Sequence, residues 1–134
     1  MIRILLCCGG GFSSSAVALK LEKEIVEKHY DEQYHIEFYP FKIAPEIWDD
    51  FDIVICCPHL KIEINQYLKK STPSIPIYII PPRMYGMMDL EEILTDVEDI
   101  IDIYRNNPHQ PVCFPGEENI LRVLRTKAYR HIKK

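Results

Sequence analysis

Apolar residues along the chain fall into short continuous runs, separated by stretches in which they recur every three or four positions; this is the pattern of strands alternating with amphipathic helices. Four β-rich runs stand out, at Ile2–Cys7, His35–Tyr39, Asp52–Cys57 and Ile75–Ile80. Three of them are almost unbroken apolar stretches, as expected of strands covered on both faces in a parallel sheet. Ser13–Tyr30 predicts a helix with Ala16, Leu19, Ile25 and Val26 on its apolar side and Lys20, Glu22, Lys23, Glu24, Glu27 and Lys28 toward water. Pro45 opens a short helix over Ile43–Asp50, and Lys61–Lys70 predicts another with Ile62, Ile64, Tyr67 and Leu68. Pro81-Pro82 end the fourth run because proline lacks the amide a ladder needs. Asp89 then caps a long helix, Leu90–Tyr104, striped with Ile93, Leu94, Val97, Ile100 and Ile101. The regular alternation predicts a doubly wound α/β domain.

Both pattern and charge change near residue 105. Asn106–Gly116 is a break containing Pro108, Pro111 and Pro115, and Glu117–Ile132 predicts one more helix with Leu121, Leu124, Ala128 and Ile132 on one side. Residues 1–104 hold nine Lys/Arg against eighteen Asp/Glu, and residues 105–134 hold seven against two, so the net charge of −4 conceals an acidic body with a basic C-terminal extension. An acidic body is a poor nucleic-acid binder, because affinity there depends on clustered cations neutralising phosphates; no nucleic-acid partner is expected. Five cysteines, an odd number without a secretory leader, point to reduced thiols in the cytoplasm. No apolar run approaches the roughly 20 residues of a membrane span.

The richest chemistry lies where the first strand meets the first helix, in Cys7-Cys8-Gly9-Gly10-Gly11-Phe12-Ser13-Ser14-Ser15. A helix start leaves N–H groups unpaired at the positive end of the dipole, so a thiolate or phosphate is stabilised there. In an open α/β sheet, ligands bind at the carboxyl ends of strands, where Cys8 falls. Successive strand residues point to opposite faces, which sends Cys7 into the packed side while Cys8 begins the turn. Gly9, Gly10 and Gly11 let amides converge on an anion, and Ser13, Ser14 and Ser15 add hydroxyl donors. The competing reading makes both cysteines small core residues and the glycines a simple turn.

A dinucleotide site is discounted, since the third glycine of its motif is missing and the second strand ends in Phe38-Tyr39-Pro40 rather than an acidic residue. A cysteine phosphatase needs an arginine six residues after its nucleophile, and that place is held by Ser14 counted from Cys8 and by Ser13 counted from Cys7. A loop so equipped holds a phosphoryl group better than it hydrolyses one, which suits a carrier.

Cys8-x-x-Gly11-x-Ser13-Ser14-Ser15 after a strand resembles the phosphocysteine loop of enzyme IIB subunits of sugar phosphotransferase systems (PTS), in the lactose/cellobiose branch. Tyr85-Gly86-Met87-Met88-Asp89, followed by Glu91, Ile93 and Leu94, resembles the segment opening that family's last helix, and Cys57-Pro58-His59 is similar to its Gly-Pro-Gln. Gly9-Gly10, Pro81-Pro82 and His59 depart from the family pattern. The resemblance spans residues 2–104 and implies a four-stranded parallel sheet of order 2-1-3-4 with helices on both faces, flavodoxin-like or low-molecular-weight-phosphatase-like. Residues 1–104 would be the phosphocysteine domain and 105–134 a Pro-rich break with a basic C-terminal helix, outside the resemblance.

By that resemblance Cys8 is the nucleophile, with Gly9, Gly10, Gly11, Phe12, Ser13, Ser14 and Ser15 around the phosphoryl group and His59 and Tyr85 as accessory residues. The phosphoryl group would come from a histidine of the IIA subunit and pass to a sugar held by the membrane subunit IIC, the chain meeting the membrane complex only through IIC. No cofactor is implied. In the implied strand order Cys7-Cys8 and Cys56-Cys57 end neighbouring strands, which brings a Cys8–Cys57 disulfide or a Cys/His metal site into view; no C-x-x-C spacing supports either, and no metal is expected. The alternative of another class is a non-catalytic regulatory or binding module on the same fold.

Overall fold

The computed structural model describes residues 2–8, 12–57, 60–71, 73–80 and 89–107, together with 112, 114, 128 and 129, and for residues 8 and 12–18 it describes the main chain. Strand β1 (Ile2–Cys8) leads into helix α1 (Phe12–Glu27), β2 (Tyr34–Pro40), helix α2 (Ala44–Ile47) with a 3-10 turn (Trp48–Asp50), β3 (Ile53–Cys56), α3 (Lys61–Leu68), β4 (Ile77–Ile79) and α4 (Leu90–Asn106). All pairings are parallel and the order is β2-β1-β3-β4, as the family resemblance implied.

Two-residue alternation divides the strands between two cores. Ile4, Leu6, Ile36, Ile53, Ile55, Tyr78 and Ile80 meet Leu21 and Ile25 of α1 and the stripe of α4 on one face. Leu5, Cys7, Val54, Cys56, Ile77 and Ile79 meet Trp48, Leu60 and Ile64 on the other. Burying each such aliphatic side chain stabilises the fold by about 1.5–3 kcal/mol, so a one-residue slip of β1 would exchange its two sets and forfeit both cores.

Asp89 caps α4 as its position predicts, its carboxylate accepting from the N–H groups of Glu91 at 3.0 Å and Glu92 at 3.3 Å. Strand β4 is shorter than Ile75–Ile80; Pro76, just before it, contributes its carbonyl to Val54 N–H but has no amide of its own to give. Helix α1 stops three residues before Tyr30. His29 takes a left-handed φ of 60°, while its N–H bonds the Val26 carbonyl and that of Tyr30 bonds the Ile25 carbonyl, closing the helix end.

The expected apolar faces need correction at three positions. Leu19 and Val26 of α1 are 66% and 62% exposed, and Ile62 of α3 is 71% exposed. Leu21 and Ile25, four apart, set the buried face of α1, and at about 100° of rotation per residue neither Leu19 nor Val26 lies on it. In α3 the same rotation separates Ile62 from the buried Ile64.

Beyond α4 the chain returns to the sheet. Val112 forms a parallel bridge to Tyr78, its N–H meeting the Ile77 carbonyl at 2.8 Å, and so covers the outer side of β4. Phe114 is buried edge-on to Tyr78 and stacked on Tyr129, with ring centroids 6.0 and 4.6 Å away. A continuous helix over Glu117–Ile132 is not what forms at its described positions, because Ala128 is non-helical and Tyr129 helical. Their N–H groups go to the carboxylates of Glu92 and Asp96; residues 117–127 and 130–132 lie outside the described residues.

Candidate functional site

Because every strand runs the same way, the carboxyl ends of β1, β2 and β3 lie along one edge of the sheet, with Cys8 opposite Pro40 and Cys7 opposite both Tyr39 and Cys56. Cys7 is fully buried among Leu5, Val54 and Cys56, as alternation predicts, and takes the structural part of the pair. Cys8 is the last residue of β1, and only residues 9–11 separate it from Phe12, where α1 begins. Gly9, Gly10 and Gly11 lie outside the described residues. Phe12, Ser13, Ser14 and Ser15 form the first turn of α1, whose N–H groups have no partner within the helix and whose sequence carries no acidic residue. Strand end and amide-rich helix start are therefore separated by three residues along the chain, and a helix start is where main-chain donors hold an anion.

The neighbouring strand end is closed by sulfur. Cys57 N–H donates to the Cys7 carbonyl at 3.2 Å and its Sγ–H to the same oxygen at 3.3 Å, while the Cys57 carbonyl accepts from Leu60 N–H at 3.0 Å. His59, two residues after Cys57, lies outside the described residues, as do Pro58, Arg83 and Tyr85 with the rest of its motif up to Met88; Asp89, the last residue of that motif, is the cap of α4.

The opposite end of the sheet is polar but differently built. A cavity of about 280 Å³ lined by Ile2, Asp52, Glu98, Ile101, Asp102 and Arg105 lies at the strand starts, remote from Cys8. On β2, Glu37 accepts from Tyr39 and pairs with His35 at 2.8 Å and with Arg3 at 3.9 Å. The His35 hydrogen bond, helped by Tyr39 and Arg3, holds the Glu37 carboxyl below the usual carboxylate range. His35 thus pairs with a carboxylate of its own strand.

Sequence reasoning missed Asp96. It is completely buried, and its two oxygens accept from Tyr78 OH at 2.8 Å and from Tyr129 N–H at 2.9 Å. The signal was present: Asp96 stands three residues after Ile93 and four before Ile100, a carboxylate on the apolar side of α4 that burial obliges to find donors. Among the described residues no group of three or more His, Cys, Asp or Glu side chains is placed to hold a metal ion, and no helix is long and apolar enough to cross a membrane.

No curated protein sequence matches the chain. The family model described as PTS system, lactose/cellobiose specific IIB subunit, matches residues 3–96, a span that runs from β1 into α4 and includes the whole β1–α1 turn. With the sheet order, the strand-end cysteine and the family match in agreement, the chain belongs to the lactose/cellobiose-specific IIB subunits of the sugar phosphotransferase system.

Proposed function

We propose that this IIB subunit carries phosphate on Cys8, receiving it from a phosphohistidine of a IIA subunit and passing it to a sugar held by the membrane subunit IIC. The observation that carries the reading is the placement of Cys8 at the carboxyl end of central strand β1, with three residues between it and the first turn of α1. A helix start favours a thiolate over a thiol, so the sulfur is primed for attack before any partner arrives. In the first transfer the Cys8 sulfur attacks phosphorus in line, the S–P bond forms, the P–N bond breaks, and imidazole leaves. Amides of Gly9, Gly10, Gly11 and Phe12, with the hydroxyls of Ser13, Ser14 and Ser15, bind the phosphoryl oxygens. In the second transfer a sugar hydroxyl attacks, the S–P bond breaks, and the thiolate returns.

The missing phosphatase arginine fits this division of labour. A carrier must hold its phosphothiol against water, and the Ser14 position lacks the bidentate cation that would drive hydrolysis. His59 and Tyr85 would act as accessory groups at the rim. Residues 1–104 would form the phosphocysteine domain and residues 105–134 an extension to it, the protein working in the cytoplasm and meeting the membrane through IIC.

Incubation with phosphoenolpyruvate, the general phosphotransferase proteins and a cognate IIA should add one phosphoryl mass to the full chain, mapped to Cys8, and Cys8→Ser should remain unmodified. An unmodified wild-type chain alongside a fully phosphorylated IIA would overturn the assignment.

A further inference from the structure

The thiol of Cys57 has no part in the transfer just described, yet it stands beside the residue that does. It lies one ladder step beyond the Cys7–Cys56 pair of β1 and β3. Both its N–H and its Sγ–H reach the Cys7 carbonyl, which belongs to the peptide unit that carries Cys8. Continuing the register sets Cys8 opposite Cys57, and partners across a parallel ladder share a face with Cα atoms about 4.8 Å apart. Disulfides bridge Cα separations of about 4.4–6.8 Å, and the main-chain spacing at this register falls within that range.

The other pairings fit less well. Cys7 and Cys8 are consecutive strand residues and face opposite sides of the sheet. Cys56 is in register with Cys7 within the core packed against Trp48 and Ile64, whereas Cys57, although itself buried, follows the last residue of β3 at the carboxyl edge of the sheet. No C-x-x-C spacing exists in the chain, so the Cys8–Cys57 disulfide that the implied strand order brought into view rests on the ladder and not on a redox motif.

We propose that Cys8 and Cys57 are a redox pair, closing to a reversible disulfide when the protein meets a hydroperoxide and thereby withdrawing the phosphoryl-accepting sulfur until a thiol reductant restores it. The pairing rests on the reading of Cys8 as a reactive thiolate. With hydrogen peroxide, the Cys8 thiolate attacks one oxygen; the O–O bond breaks, hydroxide leaves and takes up a proton, and Cys8 becomes a sulfenic acid. The Cys57 sulfur then attacks the Cys8 sulfur, the S–S bond forms and the S–O bond breaks. The departing hydroxide takes the Cys57 proton as water. Two thiols and one peroxide thus give one disulfide and two waters, both sulfurs oxidised and both peroxide oxygens reduced. The resolving thiol protects Cys8 from the sulfinic acid, which reductants do not reverse.

The test is treatment of the reduced full chain with hydrogen peroxide, alkylation of remaining thiols, and non-reducing digestion with trypsin. Peptides Ile4–Lys20 and Ile43–Lys61 should appear linked, with fragmentation placing the bridge at Cys8 and Cys57, and dithiothreitol should separate them. Cys57→Ser keeps a donor for the Cys7 carbonyl and should lose the link and accumulate Cys8 sulfinic acid at least tenfold over wild type. Cys56→Ser should keep the link. No linked peptide, a link surviving in Cys57→Ser, or equal sulfinic acid in wild type and Cys57→Ser overturns the proposal. Phosphoryl transfer assayed on the same reduced samples separates the two readings: a chain that is phosphorylated but never bridged refutes the redox pair alone, and one that bridges but is never phosphorylated refutes the carrier alone.

Discussion

The family-matched body and the C-terminal extension reach the same core by different means. The body is held by two apolar layers set by strand alternation, with polar side chains mostly at its margins. The extension is held at its described positions by one bridge from Val112, one buried ring from Phe114, and two N–H groups given to carboxylates of α4. A layer of many aliphatic contacts tolerates the loss of any one of them, whereas a specific contact such as the Asp96 pairing is lost whole when one partner goes. The extension lies beyond residues 3–96, but it covers β4 and supplies partners to Asp96, so it is part of this fold and not an appendage.

The sharpest way to break that comparison is Phe114→Ala. A buried Phe lost from a packed site costs about 3–5 kcal/mol, and for an integral extension the loss should appear as a lower midpoint of a single cooperative transition in thermal or urea unfolding. A separable extension would leave the transition of the body unmoved. Asp96→Ala is next. It removes the acceptor of Tyr78 OH and Tyr129 N–H within the core, and the expected cost is about 1–3 kcal/mol, read by the same melts. Limited proteolysis of this variant should cut the extension at least several-fold faster than in wild type.

Two smaller effects report on the body alone. Asp89→Ala removes the cap of α4 and should cost about 1 kcal/mol, leaving protease sensitivity of the extension unchanged. The Glu37 carboxyl has its pKa lowered by His35, Tyr39 and Arg3, so its contribution is present above the unfolded carboxylate pKa near about 4.3 and is lost as pH falls through the lower folded value. Acid melts of Glu37→Gln should therefore converge on those of wild type at the lowest pH and separate slightly as pH rises.

How much of this was legible in the sequence depended on the range of the interaction. Apolar runs located all four strands to within two residues; β1, β3 and β4 are buried on both faces, and β2, at the edge of the sheet, keeps Ile36 buried between polar neighbours. The stripe of α4 was readable for the same reason, with five aliphatic residues agreeing on one face. Helix α1 carries apolar residues around most of its circumference, so periodicity alone could not choose Leu21 over Leu19. Strand order was implied by family resemblance and not by spacing. The Asp96 contacts join residues 18 and 33 positions apart, and no local pattern announces which distant donors will answer a buried carboxylate. For the candidate site, the sequence named the turn and its cysteine, and the fold supplied the strand end and helix start on either side of it.

Val112 has one more consequence. A sheet whose outermost strand shows unpaired amides is a template for another chain to add to, and parallel sheets have two such flanks. Here one flank is already met by the protein's own returning backbone at Val112, while the other, β2, carries His35 and Glu37, which pair with each other and with Arg3 of β1, and finishes at a proline that has no hydrogen to donate. Both sides thus discourage the lateral growth that leads to fibrils.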